Sequence, residues 1–301
     1  MKYKFSNVKI GIAPIAWTND DIPELGKENS FEQSISEMAL AGFQGTEIGG
    51  AKFPKDPKIL KPYLKVRKLE IASAWFSSFI LKEGLEKTLE EFKKHVQMLK
   101  EMGAKVVVVS EQSKSIQGLT DVPVFSQKPI LEKGEATILY KGLNELGKYS
   151  KSQGLDLVYH HHMGTIIQTY KETVDMLKGT NPEYVSLIFD TGHFSYTGED
   201  ISKIVKELAP RIKHVHLKSI RKDIVDKVKR ENLSFLNGVR LGSFTIPGDG
   251  DVNYDKFFEV LSKHGYQGWF LVEAEQDPAK ANPFVYALKA MKFIKEKIEV
   301  I

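Results

Sequence analysis

Histidines and carboxylates that could bind a metal are concentrated in the second half of the sequence. Six of the eight histidines fall in three short segments, and acidic residues lie close to them. The set is His160, His161, His162, His193, His214, His216, Asp190, Glu273 and Glu275. Imidazole nitrogens with carboxylate oxygens suit Mn²⁺, Co²⁺, Zn²⁺ or Fe²⁺. The chain has no cysteine, so thiolate ligands, disulfides and a cysteine nucleophile are excluded.

The spacing of the histidines indicates which side chains share a face. Alternate side chains of a β-strand point the same way, so His160 and His162 form one pair and His214 and His216 another. His161 faces the opposite side. We therefore expect His161 and His214 to be structural or to support a ligand. The spacing leaves open whether His160 or His162 binds the metal.

Eight β-rich runs alternate with helical patterns along the chain. We predict strands at 8–16, 45–49, 70–77, 104–111, 155–162, 185–191, 212–218 and 269–275. We predict helices at 30–42, 57–68, 83–102, 134–153, 166–178, 200–209, 253–264 and 281–299. Strict alternation implies a parallel sheet, and eight units favour a single (β/α)₈ TIM barrel domain over residues 1–301. Two longer loops, 112–133 and 219–252, follow the fourth and seventh strands, so we expect both over the barrel mouth.

The ends of the fifth to eighth predicted strands supply histidine or acid in turn. Because neighbouring strands lie about 4.8 Å apart, these side chains can converge on one ion. The first three strands end near Trp17, Glu47 and Trp75. An aromatic there could form a pocket wall, and Glu47 could bind a hydroxyl or act as a base. Glu111, at the end of the fourth strand, could equally well face the barrel mouth or contact the surrounding helices.

Composition argues against two classes of partner. The net charge is only +4, and the lysines are scattered among glutamates in helical segments such as 82–101, so we expect no nucleic-acid binding. The first residues lack the apolar segment of a signal peptide. No apolar run approaches the length that spans a membrane. We expect a cytoplasmic protein without membrane contact.

With these residues assembled, the chain resembles the xylose-isomerase-like barrel superfamily of sugar isomerases, epimerases and endonuclease IV. The likeness covers nearly the whole chain and is carried by DTGH (190–193), HVHLKS (214–219), PGDGDVNYDKF (247–257) and GYQGWFLVEAEQDP (265–278). In that superfamily a residue from each of strands five to eight holds one metal. The resemblance therefore implies the ligands His160, Asp190, His216 and Glu273.

Within the superfamily, four motifs are most similar to the inosose dehydratase family. They are GIAPIAW (11–17), TEIGG (46–50), YHHHMGT (159–165) and VEAEQDP (272–278). The resemblance implies dehydration of 2-keto-myo-inositol in inositol catabolism. It also implies Mn²⁺ or Co²⁺ as the metal and glutathione as a stimulating cofactor. Barrels of this superfamily often self-associate, so we expect a homo-oligomer.

The implied reaction is a metal-assisted elimination on a cyclic polyol ketone. The ion would act as a Lewis acid, while a base removes the proton next to the carbonyl and an acid protonates the leaving hydroxyl. The candidates for acid and base, in no order, are His162, His193, Lys218 and Glu47. We expect Trp17, Trp75 and Glu275 to line the substrate pocket.

Three alternatives share parts of this pattern. A metal-dependent ketose 3-epimerase or sugar isomerase would use the same four ligands. However, His160 stands where the superfamily usually has glutamate, so the two-glutamate relay of the epimerases is incomplete. Endonuclease IV needs histidines from the third and fourth strands, which SAWFSS (73–78) and VVVVSEQ (106–112) lack. A non-enzymatic sugar-binding barrel would have degraded ligand positions, whereas all four are competent here.

Overall fold

Eight parallel strands form a closed barrel in the computed structural model, which describes residues 2–49 and 52–301. The strands are β1 (Val8–Ile12), β2 (Gly45–Ile48), β3 (Glu70–Ser78), β4 (Val106–Glu111), β5 (Asp156–His160), β6 (Val185–Asp190), β7 (Ile212–Leu217) and β8 (Gly268–Val272). They pair in chain order, and β8 closes on β1. The predicted TIM barrel is confirmed. Met1, Ala51 and Gly50 of the TEIGG motif lie outside the described residues.

A helix follows each barrel strand before the next begins. These helices are α1 (Phe31–Leu40), α2 (Pro57–Arg67), α3 (Leu85–Glu101), α4 (Glu135–Ser152), α5 (Tyr170–Gly179), α6 (Ile201–Leu208), α7 (Asp255–His264) and α8 (Pro283–Lys297). Shorter helices lie at Ile80–Glu83, Thr191–Thr197, Lys222–Arg230 and Phe235–Leu241. None of the helices in the described ranges combines the length and apolar character that crossing a bilayer requires.

Several elements are shorter than the sequence pattern predicts, at one end or the other. The strand expected over 8–16 stops at Ile12, because Pro14–Ala16 forms a 3₁₀ turn. The helix expected from 166 begins at Tyr170, since Thr169 and Glu172 form a capping box at its start. β5 ends at His160 and β8 at Val272. The remaining histidines and glutamates of those two segments therefore lie in the loops just beyond the strands.

The strands are apolar on both faces, as expected when helices surround a parallel sheet. In β4, Val107 and Val109 pack in the large core between strands and helices. Val106 and Val108 instead meet Val158 inside the barrel. At the amino-terminal edge, Tyr3–Phe5 pairs in parallel with Ile298–Val300.

The two long loops pack against each other, and we call residues 112–133 and 219–252 the loop cap. Val124 N donates to Leu233 O at 3.1 Å, next to a bridge between Pro123 and Ser234. A second apolar cluster joins the loop cap to the start of the β5 loop and includes Ile22, Val124, Met163, Tyr196, Phe235 and Phe244. Packing of this kind gives the loop cap a fixed position beside the mouth.

Candidate active site

A cavity of about 270 Å³ opens at the carboxyl ends of the strands. Its walls include Glu47, Trp75, His160, His162, Glu273 and Glu275. A more open groove of about 740 Å³ lies on the outer surface near α6 and α7. Its described lining residues include none of the histidines or carboxylates gathered at the mouth. The chemistry that the sequence indicates therefore belongs to the smaller cavity.

Four potential ligand atoms converge at the floor of this cavity. His160 Nε2 lies 3.3 Å from His216 Nδ1 and 3.7 Å from Asp190 Oδ2. His216 Nδ1 lies 3.4 Å from Asp190 Oδ2 and 2.9 Å from Glu273 Oε2. Atoms bound at about 2.0–2.2 Å from one metal are themselves roughly 3.0–3.6 Å apart, as simple coordination geometry requires. His160 Nε2, Asp190 Oδ2 and His216 Nδ1 have the spacing of a single coordination sphere, and Glu273 Oε2 adjoins them through its contact with His216 Nδ1.

Strand register explains the convergence. Asp190 and His216 are direct partners in the β6–β7 pairing. Glu273, just past β8, donates its backbone N–H to Leu217 O at 3.2 Å and so continues the ladder next to β7. His160 ends β5, paired with Ile188 of β6. Neighbouring strand ends thus place the four side chains at one level of the barrel.

The chemistry of the donor atoms fits a cation. Asp190 is fully buried; its Oδ1 accepts from His193 N at 2.8 Å, whereas its Oδ2 has no hydrogen-bond partner among the described residues. His160 Nδ1 donates to His161 O at 2.6 Å, which leaves its Nε2 lone pair facing the cluster. A backbone contact of this kind fixes the tautomer of a metal-binding histidine. A buried carboxylate oxygen without a hydrogen-bond partner, beside two imidazole nitrogens, is suited to a divalent metal.

Glu47 lies behind the cluster as the hydrogen-bond partner of two histidines. Its carboxylate is 3.1 and 3.2 Å from His216 Nε2 and 3.0 Å from His214 Nε2, and it also accepts from Ser73 Oγ. The β2–β3 pairing shifts register at this position, between Thr46 and Ile48. Burial alone would raise the pKa of Glu47, but the histidine charge and hydrogen bonds outweigh it and hold the pKa well below its usual value. Such a carboxylate orients His216 and is a poor proton acceptor.

Lys218 is a fully buried ammonium group beside the cluster. Its Nζ contacts Glu273 Oε1 and lies 2.9 Å from Glu275 Oε1 and 3.2 Å from His193 Nε2. Burial would lower the pKa of Lys218, but the surrounding carboxylates, Glu273 first, raise it above its usual value. A Cβ at Gly192 would lie 2.4 Å from Lys218 Cγ, so the glycine of DTGH makes room for the lysine stem. The lysine is therefore a permanent positive charge at the edge of the site.

His162 and Glu275 face the same cavity from opposite loops. His162 Nδ1 donates to Met163 O at 2.8 Å, and burial lowers the pKa of its ring to about 3, so the imidazole is neutral. Burial raises the pKa of Glu275 to about 7 against the opposing effect of Lys218. Glu275 Oε2 has no hydrogen-bond partner among the described residues. A carboxyl of near-neutral pKa is suited to proton transfer, and the neutral His162 ring faces the same cavity.

The remaining predicted positions divide between the cavity wall and the scaffold. Trp75 lines the cavity, with its ring 5.3 Å from that of His160. Trp17 was expected to line the pocket, but the 3₁₀ turn after β1 buries it, and its indole N–H donates to Glu37 at 2.6 Å. His161 stacks on Phe194 at 3.6 Å, and its Nε2 accepts from Asp190 N at 3.4 Å, so it packs behind the cluster and supports Asp190.

Glu111, left open between two roles, lies on the helix side. Its carboxylate accepts from Ile80 N at 3.1 Å and Leu81 N at 3.3 Å, and also from Ser78 Oγ and Ser113 Oγ. These contacts hold the start of the Ile80–Glu83 helix against β4. Glu111 therefore supports the scaffold and is directed away from the four-atom cluster.

Loop residues that the sequence did not single out also reach the cavity. Asp20 and Asp21 enter from the β1 loop, and Gln117 enters from the loop cap. Asn19 Oδ1 accepts from the backbone N–H groups of Asp21 and Ile22, both at 2.9 Å, and so folds the β1 loop back over the mouth. The Asn19 turn is a signal that sequence inspection could have found.

The fold matches solved barrels of similar size. D-psicose 3-epimerase from Clostridium cellulolyticum H10, solved with D-tagatose, superposes with a TM-score of 0.70 at 16% identity, covering 97% of this chain and 99% of that one. The IOLI protein, solved with a bound zinc atom, superposes with a TM-score of 0.66 at 16% identity, covering 96% of this chain and 95% of that one. At such low identity these likenesses show the fold alone.

Sequence comparison defines the family more closely. Residues 35–297 match the family described as xylose isomerase-like TIM barrel. Inosose dehydratase of Bacillus cereus is 58% identical over 295 residues, which cover 98% of this chain and 99% of that protein. Inosose dehydratase of Bacillus anthracis is 58% identical over the same length. The resemblance drawn from the four motifs is confirmed, and the chain belongs to the inosose dehydratase family of xylose isomerase-like TIM barrels.

Proposed function

We propose that this protein is a metal-dependent hydro-lyase that removes water from 2-keto-myo-inositol and gives a trihydroxycyclohexane-1,2-dione. The observation that carries the proposal is the four-atom cluster of His160, Asp190, His216 and Glu273, in a chain 58% identical to proteins named inosose dehydratase. The cavity of about 270 Å³ that opens on this cluster suits one small cyclic molecule.

The four clustered side chains would hold the metal. A divalent cation bound there supplies Lewis acidity toward the ketone oxygen of the substrate. Two imidazoles and two carboxylates match the preferences of Mn²⁺ and Co²⁺, which we propose as the native metals. Glu47 keeps His216 in the tautomer whose Nδ1 lone pair faces the cluster.

We assign proton transfer to residues that face the cavity without belonging to the cluster. His162 donates from Nδ1 to Met163 O, so its Nε2 lone pair is available to take the proton next to the carbonyl. The hydroxyl on the adjacent carbon leaves with a proton from Glu275, whose Oε1 lies 2.9 Å from Lys218 Nζ. The C–O bond breaks, water departs, and the resulting enol tautomerises to the dione. His193, 3.2 Å from Lys218 Nζ, keeps the ammonium in position.

An activity assay with chelator-stripped protein tests the proposal. Ultraviolet absorbance of the dione should appear with 2-keto-myo-inositol only after Mn²⁺ or Co²⁺ is added. Tight metal binding without any dione would contradict a dehydratase. In that case the cluster would instead support a ketose 3-epimerase or isomerase, which product analysis on ketoses would reveal.

Three finer properties follow from the family resemblance and belong to the same proposal. We infer that glutathione stimulates the reaction, that the protein works in the cytoplasm, and that it forms a homo-oligomer. Rates with and without reduced glutathione test the first inference. Cell fractionation and the mass in solution test the other two.

A further inference from the structure

One side chain of the loop cap enters the cavity with an unpaired acceptor. Gln117 lines the cavity wall. Its Oε1 is buried and has no hydrogen-bond partner among the described residues. A buried carbonyl oxygen without a partner is unfavourable and is rarely retained unless a ligand or water satisfies it. Gln117 therefore has the character of a binding residue.

The backbone of Gln117 is fixed against the segment that carries His162. Ile116 N donates to Gly164 O at 2.9 Å. Gly164 has a φ of +79°, and a Cβ at that position would lie 2.9 Å from Gln117 N and 3.1 Å from its Cα. The chains can approach this closely only because residue 164 has no side chain. The position of the amide is thus set relative to the proposed base.

The far end of the same loop is also anchored. Val124 is fully buried in the second apolar cluster and donates its N–H to Leu233 O at 3.1 Å. Ser126 Oγ donates to Asn232 Oδ1 at 2.6 Å. With contacts on both sides, the backbone that carries Gln117 is held in place before a ligand arrives, which lowers the entropy cost of binding.

We propose that Gln117 is a specificity-determining residue that binds one hydroxyl of the substrate and so orients the ring over the metal ligands. This inference rests on the function proposed above. A carboxamide offers both an acceptor and a donor, which complements a hydroxyl group. Being neutral, it adds no charge to a cavity that already contains Glu273 and Glu275. A ketone lacking the matching hydroxyl would leave Oε1 unpaired and would be discriminated against.

The test compares Gln117→Leu with Gln127→Leu, an exposed glutamine of the same loop. Both metal-loaded variants and the wild type are assayed on 2-keto-myo-inositol and on its monodeoxy analogues. We expect Gln117→Leu to lower kcat/KM about 10- to 100-fold with the full substrate. One monodeoxy analogue should lack the hydroxyl that Gln117 binds. With that analogue the wild type should show the same lowered kcat/KM, and Gln117→Leu should show no further decrease. Equal discrimination by Gln117→Leu and wild type across the series would overturn the proposal.

A second pair of variants tests the placement of the loop without changing Gln117. Gly164→Ala and Gly154→Ala introduce similar backbone strain, with φ of +79° and +84°. Only the first puts a Cβ against Gln117, because nothing lies within 4 Å of a Cβ at Gly154. KM should rise about 10-fold for Gly164→Ala and stay unchanged for Gly154→Ala. An unchanged KM in both would count against a fixed role for Gln117.

The two proposals can fail separately. Dione formation by the wild type decides the dehydratase function. If no dione forms, calorimetric Kd values for the same ketone series decide the role of Gln117. A weaker affinity of Gln117→Leu for the ligands that carry one particular hydroxyl, and for no others, would still support the proposed role of Gln117. Identical Kd values would reject it.

Discussion

His216 Nε2 lies 3.1 Å from Glu47 Oε1, which joins β7 to β2 across three steps of the closed barrel. The two residues are 169 positions apart in the sequence. The other ring nitrogen of His216, Nδ1, is directed at Asp190 and Glu273. Barrel closure therefore sets the orientation of a proposed metal ligand.

Replacing Glu47 should weaken the metal site without removing a ligand. We expect Glu47→Gln to lower metal affinity about 10- to 100-fold, because the amide cannot accept from His214, His216 and Ser73 together. Calorimetric titration with Mn²⁺ measures this. Glu37→Gln is the matched control, since Glu37 accepts from Trp17 away from the cavity. Equal affinities in wild type and Glu47→Gln would show that the contact does not orient the ligand.

The same substitution at two positions of one segment should separate binding from catalysis. We expect His160→Asn to abolish tight metal binding, because it removes a nitrogen of the four-atom cluster. His162→Asn should keep the metal and lower kcat about 10²- to 10⁴-fold, the usual effect of losing a general base. Metal content and turnover of both purified variants decide the matter. If His162→Asn loses the metal and His160→Asn keeps it, the ligand assignment is reversed.

Lys218→Met should affect catalysis and stability in different ways. Turnover should fall about 10²- to 10⁴-fold while the metal is still bound. Without metal, the variant removes the ammonium that contacts both Glu273 and Glu275, which costs about 3–5 kcal/mol of unfolding free energy. Added Mn²⁺ should therefore raise the Tm of the variant more than that of the wild type. Lys222→Met, at an exposed position, serves as control; a Lys218→Met variant as active as this control would exclude the proposed role.

Metal removal should destabilise the protein measurably. A ligand present at a thousandfold excess over its Kd stabilises the folded state by about 4 kcal/mol, so chelation should lower the Tm by on the order of 5–10 °C. Scanning calorimetry with and without chelator measures the shift. Asp190→Asn keeps an oxygen for the cap on His193 N but loses the charge at the unpaired Oδ2. The Tm of this variant should barely respond to the metal, and a wild-type response would argue against Asp190 as a ligand.

The alternation of strands and helices was predictable because secondary structure depends largely on residues that are close in the sequence. Apolar runs of four to six residues and the spacing of apolar residues along helices depend on neighbours within a few positions. Parallel strands all end at the same rim of a barrel. The positions of His160, Asp190, His216 and Glu273 at strand ends therefore predicted a cluster; the structure brings the first three together and places Glu273 against His216. Their role as metal ligands remains a prediction.

Tertiary structure alone decided the finer points of the site. Sequence spacing treated His160 and His162 alike, but β5 ends at His160, and only His160 has a nitrogen directed at Asp190 and His216. Glu47 was a candidate acid or base until the shifted β2–β3 register placed it against His216.

Trp17 was expected in the pocket and Gln117 was not, and the structure differs at both positions because of loop and turn geometry. A 3₁₀ turn buried the tryptophan, and a close approach to Gly164 brought the glutamine into the cavity. Periodicity encodes which face a residue occupies within its own element. The direction of a side chain in a loop or turn depends instead on packing between segments that are distant in the sequence. This packing forms only when the barrel closes.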